Sequence, residues 1–153
     1  MSTPVLPAYY RTLIVTFDIA LPILGAIQKL VNPSSILRAF TPFPTLPPAP
    51  ETLLLLDGSA GFFASLSLTS SLFLFHRPSD FFLHRTVQAG LVLVDVFMLG
   101  AHLREMSSGA RLGIVGSWRS EDWFNVLMYS GLTVVRGLFA LGVGLPKQRR
   151  KEE

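Results

Sequence analysis

Four apolar stretches, each about long enough to cross a bilayer and each interrupted by ionisable or amide side chains, take up most of this 153-residue chain. They cover residues 10–31, 52–75, 82–105 and 122–145. About 20 apolar residues at 1.5 Å rise cross roughly 30 Å of hydrocarbon, so four spans leave little chain for a water-soluble domain. The reading is an all-α fold, a four-helix transmembrane bundle forming one domain over residues 1–153. Composition agrees. Only 15% of residues are charged, where a soluble domain carries about a quarter. With no cysteine, disulfides, thiolate catalysis and thiolate zinc sites are excluded.

Charge sets the expected orientation. Four of the thirteen basic residues, Lys147, Arg149, Arg150 and Lys151, follow the last stretch directly. The positive-inside rule then puts the C-terminus in the cytosol, and an even span count puts the N-terminus there too. Arg11, Arg77 and Arg85 fall on the same side, against Lys29, Arg38, Arg104, Arg111 and Arg119 on the other. No basic surface exists apart from the tail, so a nucleic-acid role has no support. The first stretch lacks a basic leader and carries Asp18 and Pro22, which reads as an uncleaved helix. The expectation is a multi-pass protein of the endoplasmic reticulum membrane.

The links are distinct. Residues 32–51 hold Pro33, Pro42, Pro44, Pro47, Pro48 and Pro50, which favour an extended connector over a helix. The short link His76-Arg77-Pro78-Ser79-Asp80 makes spans two and three antiparallel neighbours, with Ser79 or Asp80 as N-cap of the third. Ser120 is the N-cap expected for the fourth. Span two is rich in small residues all round, which lets helices approach closely and suits a central position.

Helical periodicity sorts the intramembrane polar groups. Gln88, Asp95 and His102, spaced by sevens, stay within about 40° of one stripe. Asn125, Tyr129 and Arg136 share a face of span four, and Arg11, Asp18, Pro22, Gly25 and Lys29 follow a course along span one. Charges facing lipid are costly, so the stripes converge on one interior seam. Asp18 lies about 10 Å and Arg136 about 13 Å in from the cytosolic side, with Asp95 at roughly 20 Å, so Arg136 is expected to pair with Asp18 or Asp95. His102, Glu105, Asp57, Trp118, Glu121, Asp122 and Asn125 gather toward the opposite mouth. The picture is a pocket opening there with the Arg136 ion pair at its floor.

Each group has an ordinary role beside a functional one. The ion pair serves structure or catalysis; Trp118 and Trp123 serve as interfacial belt or pocket wall; Asp122 completes a helix N-terminus or takes part in chemistry. The three histidines lack metal-ligand spacing, no phosphate-binding loop is present, and the serines of span two have no histidine at helical spacing.

The run Trp118-Arg119-Ser120-Glu121-Asp122-Trp123-Phe124-Asn125, with the later Arg136-Gly137-Leu138-Phe139-Ala140-Leu141-Gly142-Val143-Gly144-Leu145, resembles a family of small fungal integral membrane proteins. These have four helices and a largely undefined biochemical role. Tyr9-Tyr10-Arg11 with Asp18 and Pro22 is similar more loosely. The family's span-three Asp is usually followed three residues on by His, whereas Asp95 here is followed by Met98, with His102 a turn further. Trp118, Asp122, Asn125 and Arg136 match. Members of the family occur in secondary-metabolite pathways, so the resemblance implies work on a terpenoid or polyketide intermediate. The layout is also similar, at fold level, to sterol isomerases of the emopamil-binding type.

Together these point to an intramembrane cyclase or isomerase, possible without cofactor or metal, acting on a lipophilic terpenoid-like molecule. Ring closure of Diels–Alder type needs only shape and one hydrogen bond to a carbonyl. Asp95, His102, Arg136, Asp18 and Asp122 are the candidate catalytic groups, and Trp118, Trp123, Asn125, Tyr129 and Gln88 the candidate substrate contacts. Partners on this reading are the lipophilic substrate, membrane lipid, and further copies or other membrane enzymes of the pathway. A non-catalytic scaffold or partner subunit is the alternative class. A proton-linked transporter of this size would have to oligomerise.

Overall fold

A computed structural model describes residues 6–146; the basic tail used to orient the chain lies outside the described residues. The fold is all-helical, with no strand among those residues. The elements are α1 (Ala8–Val31), α2 (Pro33–Phe40), α3 (Pro50–His76), α4 (Phe81–Ser108) and α5 (Ser120–Ala140), with a 3-10 turn at Val115–Ser117. Three helices, α1, α3 and α4, are long and apolar enough to cross a membrane. The fourth apolar stretch forms α5, whose run is diluted by Asn125 and Arg136.

Helix ends follow local chemistry. Asp80 accepts a hydrogen bond from the Leu83 N–H at 3.0 Å and starts α4, as a short acceptor at N-cap does. α5 stops at Ala140, short of residue 145. Gly142 adopts φ +84°, its N–H bonds the Phe139 carbonyl, and the Val143 N–H bonds that of Leu138. That pair of bonds is a Schellman motif, which needs a left-handed residue and so favours glycine. The connector 32–51 is only partly extended. Asn32 accepts from the Ser35 N–H at 3.2 Å and Pro33 stands at the first helical position, where its missing N–H costs nothing. These two residues begin α2; the later prolines end the possibility of helix until Pro50.

α1 is not regular. Ile14–Ala20 is wound as a π-helix. Pro22 offers no N–H to the Asp18 carbonyl four residues back and its ring crowds that carbonyl. The chain responds by widening, and the Leu21 N–H reaches five residues back to Thr16. Such widened turns redirect side chains, and here Asp18 is turned wholly inside, with 0% exposure.

α4 and α5 pack as one close pair and α1 with α3 as another. α3 and α4 touch far less closely than their short link leads one to expect. Nor is α3 central. Only Ala60, Ser67, Ser70 and Leu74 are buried on it, while Gly58 and Ser65 are exposed and Gly61 and Ala64 border an open hollow against α1. Where α1 begins and α5 ends, Leu6, Tyr10, Ile14, Leu74, Phe81 and Phe139 form an apolar core. Tyr10 meets Phe139 edge-on at 4.3 Å, and its hydroxyl donates to the Val143 carbonyl at 2.6 Å. Elsewhere the usual distribution is inverted. Among the described residues, eleven buried ones are polar or charged against ten apolar, while Leu30, Leu55, Phe75, Phe82, Phe97 and Leu127 are exposed. An exterior of this kind is compatible with hydrocarbon and exceeds what a water-soluble surface tolerates.

Candidate functional site

The polar seam divides into two clusters at different depths. The inner one joins α1, α4 and α5 around Arg136, itself 4% exposed. Nη1 donates to both Asp95 oxygens at 2.7 Å each, and Nη2 donates to Asp18 Oδ1 at 2.6 Å. The other Asp18 oxygen accepts from Gln88 Nε2. One guanidinium thus holds two carboxylates, and the expected choice between Asp18 and Asp95 is resolved as both. Charge-assisted bonds of this kind are strong and directional, and each carboxylate belongs to a different helix. Two buried atoms of this cluster, Gln88 Oε1 and Arg136 Nε, have no protein partner. Tyr129, half-buried on α5, is within electrostatic reach of Asp95. Farther along α1, the buried Lys29 places its ammonium 3.7 Å above the centre of the Phe63 ring, a cation–π contact.

The second cluster lies at the other end of α4, about two helical turns from Asp95. Asp122, 0% exposed, accepts from Arg111 Nη1 at 2.5 Å, from Arg119 Nη2 at 2.9 Å and from the Arg119 backbone N–H at 2.9 Å. The last contact makes Asp122 the acidic half of a cap on α5, with Arg119 rather than Ser120 at the N-cap position. Arg111 also donates to Glu105 at 2.5 Å. Two guanidiniums and two carboxylates balance, so Asp122 is already fully engaged. His102 stands beside it with Nε2 3.7 Å from Asp122 Oδ1, beyond hydrogen-bond range. At that distance the two side chains are in close electrostatic contact without a hydrogen bond.

His102 is 3% exposed, and neither ring nitrogen has a protein partner. It borders a half-open hollow of about 190 Å³ with Phe40, Met98, Ala101 and Glu105. A second, more open hollow of about 360 Å³ lies between α1 and α3, among residues such as Ile23, Ala26, Leu30, Asp57 and Ala60. Neither hollow is lined by Asp18, Gln88, Asp95, Arg136, Trp118, Trp123, Asn125 or Tyr129. The Arg136 ion pair, expected at the floor of a pocket, forms no part of the lining of these two hollows. Arginine, glutamine and two aspartates fill the seam at the inner level, whereas the small Ala101 leaves room beside His102.

The remaining candidates act in the frame. Trp118 and Trp123 stack at 4.7 Å, and Trp118 Nε1 donates to the Arg111 carbonyl at 3.2 Å, holding the loop. Asn125 Nδ2 donates to the Ala39 carbonyl at 3.0 Å, and Arg119 Nη1 to that of Arg38 at 2.8 Å. Together they pin the end of α2 against α5. Phe40, Met98 and Ala101 were not foreseen as site residues, nor Arg111 and Arg119 as partners of Asp122. Only the i, i+3 spacing of Arg119 and Asp122 offered a signal. No cluster of three or more His, Asp or Glu suited to a metal ion occurs among the described residues.

Fold and site therefore define an all-helical protein with an apolar exterior and a two-level polar interior. Compared with family models, curated proteins and solved structures, the chain finds no match.

Proposed function

We propose that this chain is a multi-pass membrane protein of the endoplasmic reticulum, a four-helix transmembrane bundle with cytosolic termini. On this reading it works as an intramembrane isomerase or cyclase on a lipophilic terpenoid-like intermediate of fungal secondary metabolism. The observation that carries the chemistry is His102: buried, hydrogen-bonded at neither nitrogen, 3.7 Å from the Asp122 carboxylate, and beside a half-open apolar hollow. In a double-bond shift beside a carbonyl, neutral imidazole removes a proton from one carbon and the imidazolium returns it to another. The atoms balance, and no oxidant or reductant is consumed. Acid–base assistance of this type contributes about 10²–10⁴ in rate. In a ring closure the imidazole N–H instead donates to the substrate carbonyl while the walls hold a folded conformer. Of the residues resembling the fungal membrane family, Trp118, Asp122 and Asn125 hold the loop and helix ends near this hollow, and Arg136 belongs to the inner cluster.

One observation favours a second reading, that of a non-catalytic membrane scaffold or partner subunit. The deeply buried Arg136, Asp18 and Asp95 satisfy one another and border neither cavity. Deleting the gene in its host and restoring either the native chain or His102→Ala separates the two. The catalytic reading expects an unrearranged precursor to accumulate in both the deletion and the His102→Ala strain. Full restoration by His102→Ala removes it and leaves the scaffold.

A further inference from the structure

We propose that the inner cluster is a proton-binding site: the Asp18–Asp95 pair holds one proton in the folded chain, seated on Asp18 with the Gln88 amide oxygen as its acceptor. The inference is independent of the reading of His102.

The charge count carries it. Asp18 and Asp95 are 0% and 3% exposed and share one guanidinium, that of Arg136. Two carboxylates against one guanidinium leave one negative charge over, inside a molecule whose exterior is rich in exposed apolar side chains. A buried charge without a counterion is far more costly than a buried neutral polar group, and the group neutralises instead. Two carboxylates at one site lead to the same result, since each opposes the ionisation of the other. The second cluster shows the contrast: there Asp122 and Glu105 meet Arg111 and Arg119, two against two.

The neighbouring helices do not supply the missing positive charge. On α1, Arg11 is exposed and about 10 Å before Asp18. Lys29 is about 16 Å beyond it, with its ammonium over the Phe63 ring. On α4, His84 bonds the Arg77 carbonyl at 3.0 Å through Nε2, and His102 stands beside Asp122 instead. α5 offers Arg136 itself and the Tyr129 phenol. The ionisable residues of α3, Glu51, Asp57 and His76, are all exposed. A proton from water is then what balances the pair, converting one carboxylate to the acid.

Geometry places that proton on Asp18. Both Asp95 oxygens are met at 2.7 Å by Nη1 of Arg136, a group that only donates. Asp18 Oδ1 is likewise met by Nη2 at 2.6 Å, but Oδ2 faces the Gln88 amide. Gln88 is 1% exposed and its Oε1 has no partner, so the cluster contains a buried acceptor with nothing to accept. An amide keeps nearly the same outline when its oxygen and nitrogen exchange places. Half a turn of the Gln88 amide brings Oε1 to Asp18, and the acid O–H donates to it. Nε2 gives up its contact in exchange, a neutral loss smaller than an uncompensated buried charge.

The test is infrared spectroscopy of the full chain in detergent micelles at neutral pH, reading the carbonyl stretch of protonated carboxylic acids, which carboxylates do not give. The native chain is expected to show an acid band that moves on ¹³C-labelling of aspartate. Asp18→Asn and Asp95→Asn are each expected to abolish it, because the remaining carboxylate then balances Arg136 without a proton. Gln88→Leu is expected to keep the band and move it to higher frequency, since the acid loses its acceptor. The proposal is overturned if the native chain shows no acid band that responds to aspartate labelling, or if removing either carboxyl leaves the band in place. It is equally overturned if Gln88→Leu leaves the band unmoved, because the proton then sits elsewhere. The labelled native chain decides the presence of the proton by itself should a variant fail to fold.

Discussion

Replacing Arg136 by methionine isolates the inner cluster, because methionine keeps much of the apolar reach and removes the charge. The native guanidinium makes three contacts of 2.6–2.7 Å to two carboxylates that are 0% and 3% exposed. Without it, Asp18 and Asp95 face each other inside the fold with only the Gln88 amide to answer them. Removing one partner of a buried pair costs about 3–5 kcal/mol, chiefly through the stranded charge. For a chain of this length that corresponds to a fall in Tm of roughly 6–20 °C, measured by circular dichroism in a fixed detergent. The decisive control is Arg136→Met combined with Asp18→Asn and Asp95→Asn. If the penalty arises from stranded charge, the triple variant recovers to within about 1 kcal/mol of the native chain, which makes the three sites strongly non-additive. It also keeps whatever ligand binding or turnover the chain has, because these residues do not line the His102 cavity. A single variant that loses less than about 1 kcal/mol, or a triple no more stable than the single, refutes the account of this cluster as the joint between α1, α4 and α5.

Two further outcomes follow from the helix ends. Asp122→Asn leaves Arg111 and Arg119 converging on a neutral amide, at a cost of about 2–4 kcal/mol; the loop 109–119 should loosen, and trypsin should cut after Arg111 markedly faster than in the native chain, an unchanged rate counting against the assignment. Gly142→Ala forces a side chain into φ +84° with its Cβ 3.4 Å from the Arg85 guanidinium, so it should lose about 1–2 kcal/mol. Gly137→Ala, within α5 and with open space around its Cβ, should gain up to about 1 kcal/mol, so equal effects at the two glycines would contradict the helix end described here.

The parts of the fold legible in the sequence are those governed by long-range periodicity. The first three apolar runs reappear as helices to within three residues at each end. Gln88, Asp95 and His102, at sevens, are all buried on one face of α4. What periodicity could not reach is set by single residues acting locally. The prolines of the first connector read as helix breakers, yet Asn32 and Pro33 are a helix start, and that short helix is what brings Phe40 to the hollow beside His102. Gly142 lies inside an apolar run, and nothing in its hydropathy marks it as a stop; only its freedom at positive φ does.

The same reasoning explains why one continuous stripe produces two unlike places. The face carrying Asp95 and His102 is unbroken in register, but filling it depends on what the neighbouring helices bring to each level. At Asp95, a long guanidinium arrives from α5, and Pro22 widens α1 until Asp18 points inward, so the space closes. At His102, the matching acid of α5 is already occupied by Arg111 and Arg119, and Ala101 contributes almost no bulk. The imidazole is therefore left without a hydrogen bond, 3.7 Å from the Asp122 carboxylate, with an apolar hollow at its side. A stripe of polar residues fixes which face turns inward; side-chain volume and the competition for each charge decide whether that face closes into a joint or keeps a hollow beside it.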